Sequence, residues 1–241
     1  MRTWGFLTNH AHALIQIARD PRSTVREIAL TAGITERATH AILRDLREAG
    51  LVSSQRDGRQ NVNHVDLPAL LRHRPWGASD MDIPDSLIHA TLRGLAGIAG
   101  PGPSHIQLPT HEGEAAPAAP LPARLNGTRR WGFLTTQALV LINVTQNPHS
   151  TVRDIAVAVG VTERAAHSVL ADLREARILD CARYGRRNSY TVNFEHLVKF
   201  RREGTAPDLV PDSFVSSLVD ALLPLQPPAY LESEDEPHPL T

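Results

Sequence analysis

A chain of 241 residues, 41% apolar and 21% charged, has room for one large domain or two of ordinary size and can bury real cores. It holds no apolar run long enough to span a bilayer, its start (Met1, Arg2, Thr3, Trp4) does not read as a secretory signal, and its single cysteine, Cys181, excludes an intramolecular disulfide framework. The expectation is a cytoplasmic protein whose net charge of −1 hides a segregation: about +4 over 1–77, −3 over 78–127, +5 over 128–204 and −7 over 205–241.

In chain order, Trp4-Gly5-Phe6-Leu7-Thr8 leads into a first helix, Leu7 to Ala18, with apolar residues at helical spacing (Leu7, Ala11, Leu14, Ile15, Ala18) and an end before Pro21. Ser23 or Thr24 caps a short second helix, Val25 to Ala32, with Glu27 in its first turn; Gly33 then allows a sharp turn. Thr35 caps a third helix, Glu36 to Ala49, whose buried stripe is Thr39, Ile42, Leu43 and Leu46, and Gly50 closes it. The period then changes to that of a hairpin: a strand over 51–55, a turn over 56–59 and a returning strand over 61–66. A stripe of Leu87, Ile88, Leu92 and Leu95 after an Asp-Ser cap predicts a further helix near 84–95. The stretch 97–127, rich in Pro, Gly and Ala, reads as a linker.

The whole pattern then recurs. Trp131-Gly132-Phe133-Leu134-Thr135 repeats the opening motif, Ser150-Thr151-Val152-Arg153 repeats Ser23-Thr24-Val25-Arg26, and Thr162-Glu163-Arg164-Ala165 repeats Thr35-Glu36-Arg37-Ala38. Asp172-Leu173-Arg174-Glu175-Ala176 repeats Asp45-Leu46-Arg47-Glu48-Ala49, and the register never slips. This is a duplication. The second unit carries the clearer hairpin, strands over 178–183 and 188–192 around Tyr184-Gly185-Arg186-Arg187, and a matching terminal stripe of Phe214, Val215, Val219 and Leu222 near 211–223. The expected domains are therefore 1–96 and 128–224, with 97–127 between them and a disordered acidic tail over 225–241.

Three helices followed by a two-stranded ribbon is the winged-helix order. Each unit resembles a winged helix-turn-helix domain of the MarR/ArsR-type bacterial regulators, on Thr24-Val25-Arg26-Glu27-Ile28-Ala29, Gly33-Ile34-Thr35-Glu36-Arg37-Ala38, Leu43-Arg44-Asp45-Leu46 and Gly50-Leu51-Val52. The expected fold is mainly α with small β wings: two tandem winged helix-turn-helix domains arranged as a pseudo-dimer. The resemblance implies that the third helix enters the major groove of double-stranded DNA. Its outward face presents Arg37, His40 and Arg44 in the first unit, and Arg164, His167 and Ser168 in the second. The caps Thr35 and Thr162 leave helix N-terminal amides for a phosphate. The other reading of Arg37 is a solvated side chain paired with Glu36 or Asp45; for the two histidines it is packing.

At the ribbon tips, Arg56 and Arg59, with Arg183, Arg186 and Arg187, flank glycine turns and can follow the backbone or enter a narrow minor groove. Asn188 and Tyr190 fit the family's wing pattern, from which the first unit departs with Asp57 for Tyr184, Gln60 for Arg187 and Asn63 for Tyr190. The helices near 84–95 and 211–223 are expected to pair the halves, putting half-sites about 34 Å apart. Two copies exchanging those helices would instead give a homodimer with four wings. The leading expectation is a sequence-specific transcription regulator that represses by occupancy; the alternative is a protein-interaction module that kept the scaffold and lost DNA reading. No cofactor or metal is expected: His10, His12 and His64 are the nearest approach to a cluster, but His-X-His on a helix splays its side chains. No Walker loop, dinucleotide glycine fingerprint or zinc-hydrolase motif occurs, so no enzyme is expected.

Overall fold

Most helix starts are set by a threonine side chain. Thr24 Oγ1 accepts from the Glu27 amide (3.3 Å) while the Glu27 carboxylate accepts from the Thr24 amide (2.7 Å), and this reciprocal capping box opens α2 (Val25–Ala32). Thr35 Oγ1 accepts from the Ala38 amide (3.2 Å) and opens α3 (Glu36–Glu48). Ahead of them runs α1 (Asn9–Arg19); behind them, β1 (Val52–Asp57) pairs antiparallel with β2 (Gln60–Val65). The same order follows as α4 (Thr136–Gln146), α5 (Val152–Val159), α6 (Glu163–Glu175), β3 (Leu179–Tyr184) and β4 (Arg187–Val192), with a short 3-10 turn at Leu223–Leu225. The structure is a computed structural model that describes residues 5–58, 60–66, 69–70, 83, 86, 88, 90, 131–184, 187–197 and 220–225.

The two candidate caps of the second helix divide their roles. Ser23 is buried and accepts a hydrogen bond from Gln16 Nε2 (2.9 Å), which leaves the capping to Thr24. At the other end of α2, Gly33 takes the left-handed conformation (φ 66°) that the turn into α3 requires, and Gly160 does the same (φ 72°) after α5. The expected stripe of α3 is realised in full, with Thr39, Ile42, Leu43 and Leu46 all buried. α1 packs on α2, α3 and β2, and α4 packs on α5, α6 and β4. Each hairpin is held to its unit by one further backbone bond: Asn63 N donates to the Pro21 carbonyl (2.8 Å), Tyr190 N to the Pro148 carbonyl (2.9 Å).

Two element boundaries differ from the sequence expectation. Leu7 lies before the first helix rather than in it, because its backbone bridges antiparallel to Leu134. The hairpin strands also run closer to their turns, which are shorter. Asp57 pairs with Gln60 and Tyr184 with Arg187, so Arg56 and Arg187 belong to strands rather than to turns, while Arg183 lies in a strand as expected. Gly58 (φ 60°) supplies the positive φ that a two-residue hairpin turn demands.

The bridge at Leu7 is part of a junction between the units. Thr8 N donates to the Phe133 carbonyl (2.8 Å) and Thr135 N to the Phe6 carbonyl (3.0 Å). Thr8 Oγ1 donates to the Gly132 carbonyl (2.6 Å) and Thr135 Oγ1 to the Gly5 carbonyl (2.7 Å). Every bond in one direction has its counterpart in the other, at the offset that relates the two copies in the sequence. Buried side chains from both units form one contiguous cluster, with Leu14, Ile28, Leu43, Leu46 and Leu51 on one side and Leu141, Ile155, Leu170, Leu173 and Ile178 on the other. The helices expected to pair the halves, near 84–95 and 211–223, lie largely outside the described residues; of their positions Ile88, Ala90, Ala221 and Leu222 are buried. The linker 97–127 and the tail 225–241 lie outside them as well, apart from Leu225.

Candidate nucleic-acid interface

The site is built on the N-terminal halves of α3 and α6. Each is amphipathic, so burial of the Leu43/Leu46 face, or of Leu170/Leu173, turns the opposite face outward. Arg37 and His40 are exposed on α3, and their counterparts Arg164 and His167 are exposed on α6, together with Ser168. Among the described residues no ion pair engages Arg37 or Arg164. The pairing of Arg37 with Asp45 is overturned, because Asp45 is committed elsewhere: its Oδ2 lies 3.2 Å from His10 Nε2 and its Oδ1 3.7 Å from Arg44 Nη2. The packing alternative for His40 and His167 is likewise not what the structure holds; both rings face solvent.

Arg44 stands one turn further along α3, its side chain 61% exposed and flanked by Asp45 and Glu48 (3.9 Å). Contacts of that length on an exposed side chain hold it weakly. Thr35 and Thr162 spend their hydroxyls on the amides of Ala38 and Ala165, which are the third amides of α3 and α6. The first two amides of each helix keep their N–H groups directed outward, the arrangement that favours an anionic oxygen.

The hairpins differ between the units. In the first, Arg22 Nη2 binds Asp57 Oδ2 (2.8 Å) and its Nη1 lies 3.5 Å from Gln60 Oε1, which ties the α1–α2 loop to the end of the ribbon. Arg56 is exposed beside them. In the second, Arg183 is exposed, opposite Asn188 in the ladder. Arg59 and Arg186 fall outside the described residues, as does the side chain of Arg187. Asn188 Nδ2 turns to the Tyr190 hydroxyl (3.4 Å), and Tyr190 is itself buried, as is Asn63 at the matching position. The Asn63/Tyr190 difference, read from sequence as a difference in wing contact, is therefore one of core filling. Asn63 there accepts from Arg47 Nη2 (3.3 Å).

A cross-unit contact reaches the back of α3, and sequence reading missed it. His10 stacks on Trp131 with ring centroids 4.6 Å apart and planes 3° from parallel, while its Nε2 meets Asp45 of α3. Burial lowers the His10 pKa below the ordinary value of 6.5, with the Asp45 hydrogen bond and charge opposing in part; burial alone lowers that of His12. The sequence carries one hint, the repeated Trp-Gly-Phe-Leu-Thr motif, which is apolar enough to call for a partner but silent on which. His10, His12 and His64 do not assemble: no group of three or more metal-ligating side chains occurs among the described residues. Nor is any described helix long and apolar enough to cross a membrane.

No curated protein and no solved structure matches the chain. Residues 4–60, which run from the junction segment through α3 and β1 to the start of β2, match the family model described as the MarR family, and the first unit is similar to the winged-helix domains of that family.

Proposed function

We propose that the chain is a sequence-specific double-stranded DNA-binding transcription regulator in which both units are winged helix-turn-helix domains, over 1–96 and 128–224, acting as the two halves of a pseudo-dimer. α3 and α6 lie in the major groove, with Arg37, His40 and Arg44 of one unit and Arg164, His167 and Ser168 of the other at base edges. Thr35 and Thr162 orient the helix N-termini on phosphates; Arg56, Arg59, Arg183, Arg186, Arg187 and Asn188 lie along the backbone or minor groove. The regulator represses by occupying its operator.

The observation that carries this reading is the recurrence of an exposed arginine and histidine, free of ion pairs among the described residues, at the same two positions of two threonine-capped helices. The neighbouring positions on that side of the helix differ, Ala41 against Ser168 and Arg44 against Ala171, while the arginine and histidine are kept.

Fluorescence anisotropy of the full chain on labelled duplexes, at several salt concentrations, tests it. The expected result is a preferred duplex bound more tightly than random DNA, with affinity falling as salt rises. Arg37→Ala and Arg164→Ala should each cost about 1–3 kcal/mol on that duplex and flatten the preference. Arg183→Ala should weaken all duplexes alike. Equal, salt-insensitive binding to every duplex, or none, overturns the proposal and leaves the protein-interaction module.

A further inference from the structure

Resting on the DNA-binding reading above, we infer that the chain recognises a non-palindromic operator in one fixed orientation. Its two half-sites are inverted, share the base pairs facing Arg37/His40 and Arg164/His167, and differ at the base pairs facing Ala41/Arg44 and Ser168/Ala171.

The inversion follows from the junction. Thr8 N to Phe133 O and Thr135 N to Phe6 O are the same bond made in both directions, and the two hydroxyl bonds to Gly132 and Gly5 repeat the exchange. An antiparallel bridge with reciprocal bonds between equivalent residues sets a local two-fold axis. Two reading helices related by such an axis meet a duplex in opposite directions.

The asymmetry follows from the reading faces. Residues 37, 40, 41 and 44 lie within two turns on one side of α3, at helical spacings of three and four. The matching residues of α6 keep the arginine and the histidine but place Ser168 where α3 has Ala41, and Ala171 where α3 has Arg44. Ser168 and Ala171 are exposed, Ala41 is half-buried and Arg44 is mostly exposed. These are changes of chemistry. An arginine offers a donor fork to the O6/N7 edge of guanine; an alanine offers only a methyl, which suits the thymine methyl group. The contacts of Arg44 to Asp45 and Glu48, at 3.7 and 3.9 Å, lie beyond hydrogen-bond length, so they are easily exchanged for a base.

The hairpins reinforce the distinction. The Arg22–Asp57–Gln60 tie consumes a cation at the first ribbon; the matching residues His149, Tyr184 and Arg187 contain no carboxylate with which to rebuild it. In an ordinary homodimer the two reading helices have one sequence and must select equal half-sites. Duplication within a chain removes that constraint.

The test is selection of the full chain on a pool of random-sequence duplexes, with the bound fraction sequenced. The expected result is an inverted pair of half-sites with a shared core and unequal flanking base pairs. Flipping the unequal pairs on one side, to make the site palindromic, should weaken binding on the order of tenfold. The double variant Ala41→Ser/Arg44→Ala gives α3 the reading face of α6, and Ser168→Ala/Ala171→Arg does the reverse; each should select a nearly palindromic site, a different one for each variant. Three of the four positions are exposed and Ala41 is half-buried, and a thermal melt shows whether each variant is folded. A palindromic site selected by the unmodified chain, or an unaltered asymmetric site selected by both folded variants, overturns this inference while leaving DNA binding intact. Enrichment of no sequence at all overturns the DNA-binding reading instead.

Discussion

The two units share a backbone plan and differ where side chains meet solvent or one another. Most inward positions keep their apolar character, as where Ile42 becomes Val169 and Leu51 becomes Ile178 with both members of each pair buried, though buried Asn63 gives way to Tyr190. Some exposed positions change charge, as when Arg44 gives way to Ala171, while others, Arg37/Arg164 and Arg47/Arg174 among them, do not; in the sequence Asp57 also gives way to Tyr184 and Gln60 to Arg187. Even the helix ends diverge. Gly50 takes φ 69° after α3, whereas Arg177 is held at φ 57° after α6, a conformation that L side chains resist. The comparison teaches that the buried apolar frame is common to both units, while divergence gathers at a few polar positions of the third helix and the hairpin.

The sharpest way to break that comparison is through the core. Leu46 and Leu173 occupy equivalent, fully buried positions, and either leucine-to-alanine change should cost about 2–5 kcal/mol in denaturant unfolding. Because both belong to one contiguous cluster, both should move the same transition. Two transitions, each sensitive to only one variant, would mean that the units melt independently.

The junction offers a subtler asymmetry. Thr135 Oγ1 donates to Gly5 and also accepts from the Ala138 amide, while the Thr8 hydroxyl bonds to Gly132 and does not cap α1. Thr8→Val should cost about 1 kcal/mol, the worth of one hydrogen bond. Thr135→Val should cost about 1 kcal/mol more, since it also removes a helix cap. Equal losses would sink the distinction.

Smaller again are the effects at the helix ends. Nothing crowds a Cβ at Gly50, so Gly50→Ala should lose about 1 kcal/mol from backbone strain alone. Arg177→Gly should gain less than about 1 kcal/mol, because relief of strain is offset by the extra freedom of glycine in the unfolded chain. Calorimetric melting temperatures of the two variants, moving in opposite directions, check both.

The smallest expected effect is one of pH. Burial lowers the His10 and His12 pKa values below 6.5, so near that pH the unfolded chain binds more protons than the folded one. Stability should therefore fall as the pH drops through about 6.5 toward the lowered values, and level off below them. The second unit has Gln137 in place of His10. The variant His10→Gln should show a shallower decline between pH 7 and 5 in melting temperature. A slope equal to that of the unmodified protein would count against His10 as a contributor.

Much of this was legible in the sequence because it is local. Caps at Thr24 and Thr35, the turn at Gly33 and the buried stripe of α3 depend on residues within a few positions of one another. The repeat of sequence segments is equally plain, since it needs only self-comparison. The hairpin limits were harder: Arg56 and Arg187 look like turn residues by composition, but backbone pairing carries the strands closer to the glycine. What could not be read was long-range. Nothing near His10 indicates that its ring lies on Trp131, and nothing near Arg22 that it binds Asp57. The placement of Tyr190 in the core rather than on the ribbon face likewise depends on the fold around it.

The bonds of Thr8 and Thr135 join partners that belong to the same polypeptide, so their formation is a first-order process. Dilution does not separate them, and no mixed species with a foreign half competes for the contact. Any target that must engage both units meets them in a one-to-one ratio at every level of synthesis. Its saturation curve should then rise with the first power of protein concentration, without the steep threshold of a pair that must first assemble.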